Sequence, residues 1–174
     1  GEWVLYEACN QVRVWQNAGY HPFRVAINVS VVQFTQTDFV ETVSHALTAS
    51  GLDPRWLEIE LTESIIMRNY DYLAKQLDRI RALGVGVAID DFGTGYSSLS
   101  HIQRLPIDKL KIDRSFVCNN EDMRPHITPN DLAIIRAITM MAHSLGISVL
   151  VEGVETIEQL RLLRGVDCDG IQGK

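Results

Sequence analysis

The sequence predicts an α/β fold, a TIM-type (β/α)8 barrel variant whose first and last strands are missing from its 174 residues. Three observations predict it. Six apolar, mostly β-branched stretches each end on a polar or acidic residue: Val25 to Asn28, Leu57 to Glu60, Val87 to Asp91, Leu110 to Asp113, Val149 to Glu152, and a weaker Cys168 to Gln172. Helix-patterned segments separate them, and such alternation favours parallel pairing. Polar residues recur at nearly every strand end, as around a barrel mouth, whereas an open doubly wound sheet gathers its ligand groups at one switch point. A complete barrel takes roughly 250 residues. The sequence starts on a helix and stops just after a strand, so residues 1–174 are expected to be a single barrel domain truncated at both ends.

Each element has its own signal. Val4, Leu5, Ala8, Val12 and Trp15 follow one helical face, which predicts a helix over Trp3 to Ala18, ended by Gly19 and His21-Pro22. A strand from Val25 to Val29 comes next, and Ser30 starts a polar turn. A helix over Phe39 to Ala49 stops at Gly51 and Asp53-Pro54, and the strand Trp56 to Leu61 follows. A helix from about Asp71 to Leu83 ends on Gly84, and the strand Val85 to Ile89 runs into a turn-rich loop, Asp91 to Ser98. A short helix precedes Leu105-Pro106 and the strand Lys109 to Ile112. Residues Asn119 to Asn130, polar and punctuated by proline, read as a surface excursion. A helix over Leu132 to Leu145, a strand over Ile147 to Val151, a helix from about Ile157 to Leu163 and the stretch Val166 to Gln172 complete the chain.

Composition narrows the function. The apolar fraction of 46% and charged fraction of 22% are ordinary for a globular domain. A net charge of -6 argues against a DNA or RNA polymer as partner, because backbone binding needs clustered Lys and Arg. An acidic chain still binds phosphates when divalent cations sit on its carboxylates. Cys9, Cys118 and Cys168 have neither zinc spacing nor an even count, which suits a reducing compartment. No apolar run in these residues approaches the roughly 20 that span a bilayer, and no signal-peptide pattern is expected in them. A cytoplasmic domain is therefore expected, although a longer protein carrying it could be tethered to a membrane.

The strand ends carry the chemistry. Asp90-Asp91 is the sharpest pair: neighbours in a regular strand face opposite ways, so both serve one site only where the strand breaks, and Phe92-Gly93-Thr94-Gly95 supplies a break. Adjacent carboxylates suit a two-metal centre for phosphoryl-ester hydrolysis, with one carboxylate bridging. Asp91 as a helix or turn cap is the competing reading. Asn28 and Glu60 add oxygen ligands that fit magnesium or manganese better than zinc; the alternatives are a turn residue and an exposed strand end. Glu152, before Gly153, reads either as a further ligand or as half of a rim salt bridge. Lys111, flanked by Leu110 and Ile112, faces away from both, either into the barrel among carboxylates or out to solvent. Gln172 offers an amide donor. The five histidines show no ligand spacing, and neither a P-loop nor a catalytic Ser–His pattern occurs.

These segments also resemble a known family. Asn28-Val29-Ser30, Glu60-Leu61-Thr62-Glu63, Asp90 through Leu99, Lys111-Ile112-Asp113-Arg114-Ser115-Phe116, Glu152-Gly153-Val154-Glu155-Thr156 and Gln172-Gly173 look, in order, like the signatures of EAL domains, the cyclic di-GMP phosphodiesterases of bacterial signalling. The resemblance implies a barrel with an antiparallel first strand. It makes Asn28, Glu60 and Asp90 ligands of one metal, with Asp90 bridging to a second held by Asp91 and Glu152. It gives catalytic roles to Lys111, Glu152 and Gln172, with Lys111 touching the nucleophilic water. Glu63 and Glu155 become loop anchors, while the substrate-binding residues stay unassigned. Magnesium or manganese as cofactor, cyclic di-GMP as substrate, a homodimer and a fused sensor or GGDEF domain complete what it implies. Three departures stand out. The Glu-Ala-Leu segment that names the family is expected before Gly1 and a final strand after Lys174, and Val151 replaces the usual Ala before Glu152. Two functions are thus expected in competition: hydrolysis of cyclic di-GMP to linear pGpG, or a receptor module that binds it without turnover. An enolase-like barrel enzyme is the remoter third.

Overall fold

Six strands pair in chain order into one parallel sheet. They are β1 (Val25–Asn28), β2 (Leu57–Thr62), β3 (Gly86–Phe92), β4 (Lys109–Ile112), β5 (Ser148–Val151) and β6 (Gly170–Ile171). The computed structural model describes residues 1–36, 38–66, 70–95, 99–118 and 127–174. Within these, β6 does not pair back to β1, so the sheet is a curled half-barrel and not a closed barrel. The residues at 119–126 of the anticipated surface excursion, and Tyr96 to Ser98 of the loop after β3, lie outside the described residues.

The helices are α1 (Glu2–Asn17), α2 (Val31–Phe34), α3 (Phe39–Ser50), α4 (Tyr70–Ala82), α5 (Leu99–Ile102), α6 (Pro129–Ser144) and α7 (Ile157–Leu163). Each longer helix turns one apolar stripe to the sheet, as 3.6-residue periodicity requires: Leu5, Cys9 and Val12 on α1; Val40, Val43 and Leu47 on α3; Leu73, Leu77 and Ile80 on α4. The receiving strand face is made of Leu57, Ile59, Leu61, Val87, Ile89, Leu110, Ile112, Val149 and Val151, all shielded from solvent. These alternate positions share one side of the strands, and the residues between them face the concave interior.

Several boundaries differ from the sequence reading, each for a local reason. Ser30 opens α2 rather than a plain turn, because its hydroxyl accepts from Gln33 N while the Gln33 side chain accepts from Ser30 N. Thr128 and Asp131 form the same reciprocal box with Pro129 at the first helical position, so α6 begins three residues before Leu132. A single 3₁₀ turn at Pro54–Trp56 delays β2 to Leu57. The final strand shrinks to Gly170–Ile171. The largest difference is in β3, which does not stop at Ile89 but runs on to Phe92.

Candidate active site

That extension determines how two adjacent carboxylates face one site. Along the β3–β4 ladder Ile89 pairs with Leu110 and Phe92 with Ile112, so Asp90 and Asp91 together oppose Lys111. Two residues against one is a β-bulge, uncommon between parallel strands. Asp91 takes the extra position in left-handed backbone, φ 54°, and its N–H donates to Asp90 Oδ1 at 3.0 Å. The break needed to aim both side chains alike is inside the strand, ahead of the glycine loop.

Lys111 lies inside the half-barrel, 4% exposed. Its Nζ is 2.6 Å from Glu152 Oε1, 3.0 Å from Glu60 Oε1 and 3.3 Å from Asp90 Oδ1. Glu60 is buried on the concave face and Glu152 follows β5, so three different strands deliver carboxylates to one ammonium. Burial by itself would push this lysine down. The hydrogen bonds that it donates to Glu152 and Glu60, with the Glu60 and Asp90 charges, outweigh burial and hold the ammonium above its ordinary range. Burial raises the Glu60 carboxyl, aided by the Asp90 and Glu58 charges and opposed by Lys111. Asp91 is also raised, by burial first and then by the charges of Asp90, Asp113 and Glu152.

Carboxylate oxygens of Asp90, Asp91 and Glu152 lie within 4.8 Å of one another, a spacing at which one cation could bind all three. The donor set is hard oxygen, and the neighbouring charges that add to burial in raising Asp91 are a repulsion a divalent cation would relieve. The residues therefore fit a hard divalent cation.

Above this cluster, the buried Glu63 carboxylate begins a 3₁₀ turn, Glu63–Ile65, and its Oε2 accepts from Gly93 N at 2.9 Å and Gly95 N at 3.2 Å. Thr94 Oγ1 donates to the Asp91 carbonyl at 2.9 Å. Gly93 is required by its backbone conformation, while a side chain at Gly95 would displace the Glu63 carboxylate. A Cβ on Gly93, φ 99°, would meet the Phe116 ring at 2.7 Å, and one on Gly95 would meet Glu63 Oε1 at 2.9 Å.

The other expected site residues are less engaged. Asn28 ends β1 opposite Glu60 in register, with an exposed side chain at the rim of a cavity of about 280 Å³ lined by α1, α2 and the start of α3. The Gln172 side chain is exposed, while its backbone joins Val151 and Val154. Glu155 is exposed, and its N–H donates to Gln159 Oε1 at 2.8 Å. Neither is brought into the Lys111 cluster.

Two features escaped the sequence reading. Asp113 lies against Asp91, and its position at the end of β4 repeats the acidic strand-end pattern that could have flagged it. Below the site is a second charged layer. Lys109 Nζ contacts both Glu58 oxygens at 2.7 and 2.8 Å, and Arg24 Nη1 reaches Glu58 Oε2 at 3.1 Å, with Glu58 only 2% exposed. The signal was the alternation Leu-Glu-Ile-Glu and Lys-Leu-Lys-Ile, unusual in parallel strands buried on both faces.

A curled parallel half-barrel with a carboxylate–lysine cluster at its strand ends defines a barrel-type α/β domain whose strand ends could hold a metal ion. The chain belongs to the EAL domain family, which it matches over residues 1–174. It is 43% identical over 173 residues to the bifunctional diguanylate cyclase/cyclic di-GMP phosphodiesterase MucR of Pseudomonas aeruginosa, covering 99% of this chain and 24% of that protein. The chain thus spans about a quarter of that curated relative's length. Its backbone resembles that of the PaMucR phosphodiesterase in complex with c-di-GMP, with a TM-score of 0.90 at 43% identity over 99% of this chain and 68% of that one. The manganese/cy-diGMP complex of Klebsiella pneumoniae BlrP1 gives a TM-score of 0.80 at 33% identity, covering 97% of this chain and 42% of that one. Among the described residues no helix is long and apolar enough to cross a membrane.

Proposed function

We propose that this chain is the phosphodiesterase domain of a longer signalling protein, opening cyclic di-GMP to linear pGpG in the cytoplasm. The observation that carries the reading is the Lys111 ammonium bound to Glu60, Asp90 and Glu152 beside the bulged Asp91. An acidic pocket repels a phosphodiester unless cations intervene. Magnesium or manganese would supply that charge and a Lewis acid for the phosphoryl oxygens. Asn28, Glu60 and Asp90 would hold one ion, and Asp90, Asp91 and Glu152 the other.

Lys111 donates a hydrogen bond to the attacking water and keeps its oxygen in line with the scissile bond. Attack at phosphorus breaks one P–O ester bond, leaving a phosphate on one nucleoside and a hydroxyl on the other. Glu63 holds the loop after Asp91 through its amides, Glu155 anchors the turn after β5, and Gln172 donates its amide to the site. The working form is a homodimer, and a sensor or GGDEF domain is fused to it. Support comes from the likeness to MucR, a diguanylate cyclase/cyclic di-GMP phosphodiesterase, and to BlrP1 in its manganese/cy-diGMP complex.

The test is chromatographic detection of pGpG from cyclic di-GMP with manganese, with and without a chelator, for the wild type and Lys111→Ala. Turnover abolished by chelation and by the substitution is expected. Tight binding of cyclic di-GMP with no product under any metal would make the protein a receptor instead.

A further inference from the structure

The two buried lysines of β4 reach their carboxylates in the same way. Lys109 pairs in register with Ala88, yet bonds Glu58, which is level with Gly86. Lys111 stands opposite Asp90 and Asp91, yet bonds Glu60, which is level with Ala88. Each ion pair therefore runs diagonally over β3, from β4 to β2, a separation of roughly 10 Å between next-but-one strands. The inward residues of β3 along these diagonals are Gly86, Ala88 and Asp90; Asp90 is itself a partner of Lys111, and the other two have little or no side chain. Gly86 is closely covered: a Cβ there would come within 3.2 Å of Arg24 Nη1 and 3.6 Å of Glu58 Oε2. Ala88 is fully buried but does not belong to the apolar cluster formed by its neighbours Val87 and Ile89, which points it to the charged interior. It is level with Glu60 on one side and Lys109 on the other, between the two diagonals.

We propose that Ala88 is a positioning residue: its small side chain leaves the passage over β3 through which Lys111 reaches Glu60, and so sets where the ammonium sits in the site. The functional half of this rests on the role given to Lys111 above. A branched side chain at 88 would occupy the passage and push Lys111 Nζ away from Glu60. A displacement of about 1 Å at a group that orients the nucleophile can cost about 100-fold in rate.

The experiment compares Ala88→Val, Ala88→Gly and Gly86→Ala in the full protein, together with Lys111→Ala and the Ala88→Val/Lys111→Ala double variant. Three readouts are taken: the Lys111 Nζ–Glu60 distance in crystals, kcat and KM for cyclic di-GMP, and manganese affinity by calorimetry. Ala88→Val should lengthen the Lys111–Glu60 distance beyond salt-bridge range and lower kcat by about 100-fold, with KM and manganese affinity changed by less than about threefold. Ala88→Gly should keep the distance and the rate, and Gly86→Ala should alter stability but not kcat. Adding Ala88→Val to Lys111→Ala should lower kcat no further, because the valine acts through the lysine. An unmoved Lys111 in Ala88→Val, or an equal loss of rate in both backgrounds, overturns the proposal. A displaced Lys111 with full activity in Lys111→Ala supports the positioning and instead overturns the role proposed for Lys111.

Discussion

Replacing Lys109 by Met tests whether the lower charged layer is a structural necessity. Glu58 is 2% exposed and receives two bonds from Lys109 at 2.7 and 2.8 Å, against one from Arg24 at 3.1 Å. Removing the lysine leaves a buried carboxylate with a half-exposed guanidinium as its remaining cation. Breaking a buried pair costs about 3–5 kcal/mol. Because Arg24 persists and Lys109 is itself partly solvated, the lower end applies, about 3 kcal/mol, or a fall of roughly 6–12 °C in Tm for a chain of this size. The assay is urea unfolding followed by circular dichroism, with the m-value checked for constancy. The double variant Glu58→Leu/Lys109→Met should return to within about 1 kcal/mol of wild type, since no buried charge is orphaned and Arg24 can turn to water. Raised salt should change the single-variant loss little, because the pair is shielded. A single-variant loss below about 1 kcal/mol, or a double variant no more stable than the single, would refute the reasoning.

Four further outcomes are expected. Lys111→Ala should cut kcat far more than it raises KM, whereas Asp90→Asn should also weaken manganese binding; steady-state kinetics and calorimetry separate the two, and a change confined to KM would reassign the lysine to substrate binding. Calcium should support turnover poorly beside magnesium or manganese, because its longer and looser coordination suits a compact site badly, and equal rates with calcium would contradict this. Glu63→Gln should lower both activity and magnesium affinity, since two loop amides lose a charged acceptor, and mass photometry of the same samples tests whether the loop also reports on a dimer. The Asp169 carboxyl, held low by Val149 N at 2.7 Å and then by His143, stabilises the fold above its unfolded pKa, and that contribution disappears as pH falls through its folded value; Asp169→Asn should flatten the acid limb of the urea midpoint against pH.

The strand–helix order was legible because each strand is a β-branched run stopped by a polar residue and each long helix carries a period-3.6 stripe. Glu60, Asp90, Asp91 and Glu152 were legible as strand-end acids, and Lys111 as the residue facing away from Leu110 and Ile112. The bulge was not, because it is a property of register: nothing in Asp90-Asp91 alone says that both will oppose one residue of β4. Sequence also left Lys111 free to point either way, and only the curl of the sheet, which brings β2 and β5 acids to β4, decides it. Short-range reciprocal bonds at Ser30–Gln33 and Thr128–Asp131 are present in the sequence as a polar residue three positions after a cap, within stretches that otherwise read as a polar turn and a surface excursion.

The alternation in β2 and β4 explains how this half-barrel can hold a charged interior at all. A TIM-type barrel is ordinarily filled by layers of branched apolar side chains. In β2, β3 and β4 the inward positions include Glu58, Glu60, Gly86, Ala88, Asp90, Lys109 and Lys111, while the larger apolar residues of those strands face the helices. Hydrophobic stabilisation is therefore confined to one face of the sheet, where Leu57, Ile59, Leu61, Leu110 and Ile112 are completely buried. The other face must balance its own charges, since a buried ion is tolerated only when paired. The lower layer does so with Lys109 and Arg24 on a single Glu58. In the upper layer Lys111 meets Glu60, Asp90 and Glu152 together, and Asp91 and Asp113 add to the negative side. That residual negative charge, set directly above a layer already satisfied by its own cations, is what would let the strand ends take up a divalent cation as proposed above, where the lower layer closes on itself as an internal salt bridge.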